Sequence, residues 1–242
     1  MTTIAITMAG RGQRFRDAGW QRPKYEIEVG GRTLFRWSLE SLQAWFPETT
    51  ELLLVARRED DAGPFTQRQS EAIGLPTPRL IELEATTDGQ ATTALLAAEA
   101  ASDPSRPLLI YNIDTHVLPG AMAPGQARGD GFVPCFQASG DHWSFAAIGD
   151  DGWATELAEK RRISPHATLG LYWFASAALY LDIYRAHFAN GGTEAGERYI
   201  APMYNTLIAQ GGKVSVSDVP SEAVIPLGTP AEVEAFAASI AP

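Results

Sequence analysis

The sequence predicts an α/β protein built on a largely parallel sheet, and three observations predict it. Short apolar runs alternate with stretches of helical periodicity along the whole 242-residue chain. Hydrophobic residues make up 45% of it, enough for one sizeable core. Charged residues make up 20% without any long polar tract, which argues against intrinsic disorder.

Taken in order, Thr3 to Met8 reads as the first strand, and Ala9 to Pro23, rich in Gly and Arg, as a loop. Apolar residues at Leu34, Trp37, Leu39, Leu42 and Trp45 predict a helix over 33–46. Glu51 to Ala56 and Arg79 to Leu83 read as strands, and Gln90 to Ala101, Ala/Leu-rich, as a helix. Pro107 to Asn112 reads as a buried strand ending at Asp114. Beyond it the pattern turns β-rich, with strands over 129–136, 143–148 and 169–174. Helices are expected over 175–189 and 198–210, then a strand over 213–217. A closing helix over 230–238 has Thr229 as its N-cap. One domain spanning residues 1–242 is expected, with a β-rich substrate lobe at roughly 130–175.

Bulk chemistry narrows the function. A formal net charge of −10 disfavours holding a nucleic-acid backbone. The single cysteine, Cys135, builds neither a disulfide framework nor a Cys-rich zinc site. The first residues lack the basic segment of a secretory signal, and no apolar run has the length of a membrane span. A soluble cytoplasmic protein without nucleic-acid or membrane partners is expected; an oligomer remains open.

The most informative stretch is Met8-Ala9-Gly10-Arg11-Gly12-Gln13-Arg14-Phe15, followed by Pro23-Lys24. Glycines allow backbone N–H groups to approach phosphate oxygens and permit positive φ. Arg14 can grip phosphate oxygens as a fork, and Lys24 can add a point charge. Arg11, Arg14 and Arg16 crowd one loop of an acidic protein, which calls for an anion. Phe15 stands where a dinucleotide-binding fingerprint has its third glycine, and the Gly-Lys-Ser/Thr of a Walker loop is absent. A lone Gly-x-Gly would otherwise read as a solvated turn.

This stretch resembles the signature of the sugar-phosphate nucleotidyltransferases, the nucleoside-diphosphate-sugar pyrophosphorylase family. The resemblance runs from Thr3 to Phe236 and is strongest in the first loop. It implies a three-layer, Rossmann-like, mixed and mostly parallel sheet of the GT-A-like kind. It also implies an Mg2+-dependent enzyme whose partners are an NTP and a small phosphorylated metabolite. Met8, Ala9, Gly10, Arg11 and Gly12 would wrap the nucleotide, Arg14 would stabilise the departing pyrophosphate, and Lys24 would hold phosphate oxygens. Met8 replaces the usual leucine.

Further residues follow the same resemblance. Gln90, in Thr87-Asp88-Gly89-Gln90, carries donor and acceptor groups suited to a base edge; by its residues alone the segment is an ordinary helix start capped by Asp88. Asp114, at a strand tip where open α/β sheets bind ligands, matches the family's metal-binding aspartate; the plain alternative is a turn cap. Glu159-Lys160 and Gly170 match an acceptor-binding Glu-Lys pair and a Gly-aromatic strand, against the plain reading of a surface ion pair. Glu197, in a stretch similar to a capsule or surface-glycan branch, is a further acceptor-side candidate. Val224 to Pro230 resembles the family's closing Gly-Thr-Pro motif, but Pro226 stands where many members carry a second metal-binding aspartate. Asp218, Glu222 or a single carboxylate is left to serve. A non-sugar phosphate used with CTP, a GT-A-type glycosyltransferase and a non-catalytic nucleotide-binding domain are the competing readings.

Overall fold

The computed structural model describes residues 1–194 and 196–241. The first half of the chain carries β1 (Thr2–Thr7), α1 (Gln13–Asp17), β2 (Glu28–Val29), β3 (Arg32–Thr33), α2 (Leu34–Glu40), β4 (Thr49–Arg57), α3 (Ala62–Ala72), β5 (Arg79–Leu83), α4 (Gln90–Ala100), β6 (Leu108–Asn112) and β7 (Thr115–Val117). The second half carries β8 (Gly131–Gln137), β9 (Ser144–Ile148), β10 (Ala154–Glu159), β11 (His166–Thr168), β12 (Leu171–Phe174), α5 (Ala177–His187), α6 (Met203–Ala209), β13 (Val214–Asp218), β14 (Val224–Pro226) and α7 (Pro230–Ser239).

Among the described residues, ten strands form one mixed sheet in the order β10-β9-β11-β8-β12-β6-β1-β4-β5, with β13 beside β8. The run β6-β1-β4-β5 is parallel, whereas β12 joins β6 and β8 antiparallel. Alternation of side chains along the strands makes three layers. Ala5, Leu53, Val55, Leu108 and Ile110 face the layer of α4, α5 and α6. Ile4, Ile6, Leu52, Leu54, Leu109 and Tyr111 face the opposite layer, with Phe35, Leu39 and Trp45. Strands covered on both faces read as unbroken apolar runs, which is why Leu52 to Val55 and Leu108 to Tyr111 do not alternate.

Several elements depart from expectation. The first loop contains the short helix α1, because Gly12 turns the chain through a left-handed conformation (φ 62°) and its carbonyl accepts the N–H groups of Phe15 and Arg16. The helix expected over 33–46 stops as α2 at Glu40, then continues as a 3-10 turn over Gln43–Glu48 that contains Pro47. Helix α3, strand β10 and the short strands β2, β3, β7, β11 and β14 lie outside the elements the sequence predicts. The helix expected from Arg198 begins only at Met203, because the Arg198 backbone is committed elsewhere: its N–H donates to the Asp88 carbonyl at 2.8 Å and its carbonyl accepts from Ala91 N–H at 3.0 Å. Helix α7 starts as expected, with the Thr229 hydroxyl accepting the Glu232 N–H. No helix is long and apolar enough to cross a membrane among the described residues.

Candidate active site

The carboxyl ends of β1 and β6, the loop before α4 and the segment after β14 enclose a cleft of about 740 Å3. This is where ligands sit in open α/β sheets, and the size suits a nucleotide-sized ligand. Met8, Ala9, Gly10, Arg11, Gly12, Arg14, Lys24, Gln90, Asp114 and Glu197 all line it. Sequence positions 8 to 197 therefore converge on one cavity.

Each arrives by an identifiable route. The glycine loop leaves β1 directly; Arg11 is held by a bond from its guanidinium to the Thr86 hydroxyl at 3.1 Å. Arg14 is exposed, and its guanidinium has no hydrogen-bond or ion-pair partner among the described residues. Asp114 sits on the turn between β6 and β7, which the buried Tyr111 hydroxyl ties by donating to the Thr115 carbonyl at 2.8 Å. Lys24 follows Pro23 and places Nζ 2.6 Å from Asp114 Oδ2, a half-buried ion pair. Gln90 opens α4 and donates through Nε2 to Thr7 Oγ1 at 3.1 Å.

Gly89 shows why this seam needs glycine. A Cβ there would stand 2.3 Å from the Arg198 carbonyl oxygen and 2.5 Å from its nitrogen. Backbone therefore packs against backbone, and the adjoining Glu197 is carried into the cleft. Arg198 itself is not aimed at the cleft: it pairs with Asp88 at 3.1 Å and lies over the ring of Phe188 at 4.9 Å.

Glu159, Lys160 and Gly170 do not line the cleft; they form a flank connected to it. The Gly170 carbonyl accepts the N–H of Asn112, a cleft residue, at 3.2 Å. Glu159 ends β10, and its carboxylate accepts a bond from the Ser144 hydroxyl. Burial, reinforced by Glu194 and Glu197, pushes its carboxyl above the ordinary glutamate range against the opposing Ser144 bond and Lys160. Lys160 takes a left-handed backbone (φ 50°) and donates to the Tyr199 hydroxyl at 2.6 Å; that bond raises its pKa. Burial likewise raises Glu194, which also accepts the Glu159 N–H. Lys160 is thus set beside Glu159 and Glu197, and Glu194 stands next to Glu159.

Sequence reasoning missed Glu194 and Asn112. Asn112 adjoins Asp114 and could have been found from that spacing. Glu194 carries no motif. His116 is buried; its Nδ1 donates to the Trp37 carbonyl at 2.7 Å, and burial lowers its pKa. Asp218 is paired with His166 at 2.9 Å, and neither it nor Glu222 lines the cleft.

Fold and cleft together define an α/β protein that gathers cations and a carboxylate at the carboxyl ends of parallel strands, the arrangement of a polyphosphate site. No protein-family model and no curated protein matches the sequence. Solved structures do. The nucleoside-diphosphate-sugar pyrophosphorylase of Vibrio cholerae RC9 is 33% identical, covering 98% of this chain and 100% of that one, with a TM-score of 0.88. The inositol-1-phosphate CTP transferase of T. maritima shares the fold at 13% identity (96% and 91% covered, TM-score 0.76). So does the CTP:phosphocholine cytidylyltransferase of Streptococcus pneumoniae at 15% (99% and 99%, TM-score 0.75). The chain belongs to the nucleotidyltransferase family of the V. cholerae protein and is itself a nucleotidyltransferase.

Proposed function

We propose that the enzyme transfers the NMP of an NTP to a small phosphorylated acceptor, a sugar 1-phosphate or similar compound, in the cytoplasmic synthesis of surface-glycan or capsule precursors. The observation that carries this reading is the convergence of Arg14, Lys24 and Asp114 on one cleft. An acceptor phosphate oxygen forms a bond to the α-phosphorus, the bond to the bridging oxygen breaks, and pyrophosphate leaves with that electron pair. A phosphate monoester is already mostly ionised at neutral pH, so no general base is needed. Catalysis is positioning and charge neutralisation.

Arg14, with its fork free, grips the pyrophosphate end. Lys24, on a flexible stem, bridges Asp114 and the phosphate oxygens. Gln90 reads a base edge. Lys160 holds the acceptor phosphate, while Glu159, Gly170 and Glu197 receive its organic part. The donor set suits magnesium: Asp114 presents hard carboxylate oxygens, and no cluster of three or more His, Cys, Asp or Glu forms a protein-only cage among the described residues. Magnesium characteristically takes one or two carboxylates plus substrate phosphates. When bound, it supplies charge neutralisation on the triphosphate.

A second acceptor class is favoured by one feature. Glu159 and Glu197 face the ammonium of Lys160, and Glu194, itself opposed by Arg161, adds a third carboxylate beside Glu159. Three carboxylates against Lys160 and Arg161 suit a non-sugar phosphate carrying a positive group, of the phosphocholine or phosphoamide kind, used with CTP. A matrix of the NTPs against glucose 1-phosphate and phosphocholine, with Mg2+ present or withheld and pyrophosphate as the readout, decides. Magnesium-dependent pyrophosphate release with one acceptor class is expected; NTP binding without pyrophosphate from any pair would sink the reading.

A further inference from the structure

Tyr199 is only half-buried, in the segment that precedes α6. It stands between Arg198, whose backbone is bonded to Asp88 and Ala91, and the fully buried Ile200. Both neighbours are fixed, so the ring is held in place without being packed into the core. The Lys160 ammonium uses that ring twice: Nζ donates to the hydroxyl at 2.6 Å and lies 4.8 Å from the ring centroid. Lys160 reaches it from the end of β10 on a left-handed backbone (φ 50°), uncommon for a residue with a side chain, and its N–H donates to the Trp143 carbonyl at 2.9 Å.

The choice of partner is what calls for explanation. Glu159 and Glu197 both face Lys160, and an ammonium bonds a carboxylate more strongly than a neutral oxygen. Yet Glu159 Oε1 stands off at 4.0 Å, its carboxylate occupied by the Ser144 hydroxyl. The phenol accepts from Lys160 and has Glu197 as the acceptor for its own proton. A neutral oxygen fixes an ammonium without cancelling its charge. A carboxylate in the same place would hold Lys160 as firmly, but it would also repel an arriving phosphate.

We propose that Tyr199 is a positioning residue for the acceptor: its hydroxyl holds the Lys160 ammonium clear of Glu159 and Glu197, so that the whole positive charge meets the acceptor phosphate. This inference rests on the reading of Lys160 as the acceptor-phosphate residue given above. Tyr199 acts through Lys160 and forms no bond in the reaction itself.

The test uses the full-length protein carrying 13C at lysine Cε. The chain has three lysines, Lys24, Lys160 and Lys213, and the Lys160 signal is assigned by its loss in K160M. Inorganic phosphate is the probe for the acceptor side and inorganic pyrophosphate the probe for the triphosphate end. In the wild type the Lys160 signal should shift with phosphate and saturate. Y199F keeps the ring and removes the hydroxyl. It should raise the dissociation constant for phosphate read at Lys160 about tenfold, with the Lys24 response to pyrophosphate and the melting temperature unchanged. Equal phosphate affinity in Y199F and wild type overturns the role of Tyr199 and leaves that of Lys160 intact. A matching loss at Lys24, or a lowered melting temperature, also overturns it, because the hydroxyl would then serve the fold. A wild-type Lys160 signal that ignores phosphate overturns both.

Discussion

The two ends of the active-site region are built on opposite plans. The proposed triphosphate end is cationic and assembled from strand tips: Arg11 and Arg14 on the segment after β1, Lys24 after Pro23, and Asp114 on the turn after β6. The proposed acceptor end is acidic and assembled from the far side of the mixed sheet and the segment before α6: Glu159 and Glu197 beside Lys160 and Tyr199, with Glu194 next to Glu159. The first plan is generic, since any NTP presents the same phosphates. The second is where one acceptor must be told from another, and specificity comes from polar groups that a wrong ligand would leave unpaired.

The sharpest way to break this comparison is to compare losses at the two ends. Asp114→Asn should lower kcat/KM about a thousandfold, with a residual rate that no longer responds to Mg2+ concentration, as read by pyrophosphate release. Next in size is the seam joining the ends. Gly89→Ala drives a methyl group into the Arg198 backbone, so denaturant unfolding should show a loss of about 3 kcal/mol, and acceptor KM should rise in whatever protein remains folded. Lys160→Ala should raise acceptor KM about tenfold while leaving the KM for NTP unchanged. A loss as large as that of Asp114→Asn, or an equal rise in both KM values, would erase the distinction between generic and selective ends.

The smallest effect lies outside both ends. Burial lowers the pKa of His116 and of His187 in the folded state. Above about pH 6.5 both are neutral, folded or unfolded, and contribute no pH dependence. As pH falls below that value the unfolded chain takes up protons that the folded one resists, so stability should decline through this range and level off below the folded values. Thermal melts from pH 8 to pH 5 check this; a melting temperature that rises with acid would contradict the burial of these rings. Activity per folded molecule should keep its division between the two ends throughout.

Much of the triphosphate end was legible because local rules place it. A glycine-rich run after an apolar strand and an aspartate closing another strand carry their meaning within ten residues. The departures have tertiary causes. Arg198 to Pro202 has a helical pattern, yet its backbone hydrogen-bonds to the loop of Asp88 and the start of α4. Glu159-Lys160 looks like a charged surface turn, yet Glu159 is buried at the end of β10 against Ser144. Glu194 belongs to no motif that points to the site.

By itself the sequence determined the alternation of strands and helices, the apolar strands buried on both faces, and the phosphate-seeking loop, because periodicity and glycine content are properties of neighbouring residues. Only the tertiary structure decided which distant charges meet. Lys24 finds Asp114 across ninety positions, and Glu197 comes to face Glu159 and Lys160. Electrostatic interactions depend on separation in space and on burial, and neither is recorded in the order of the residues.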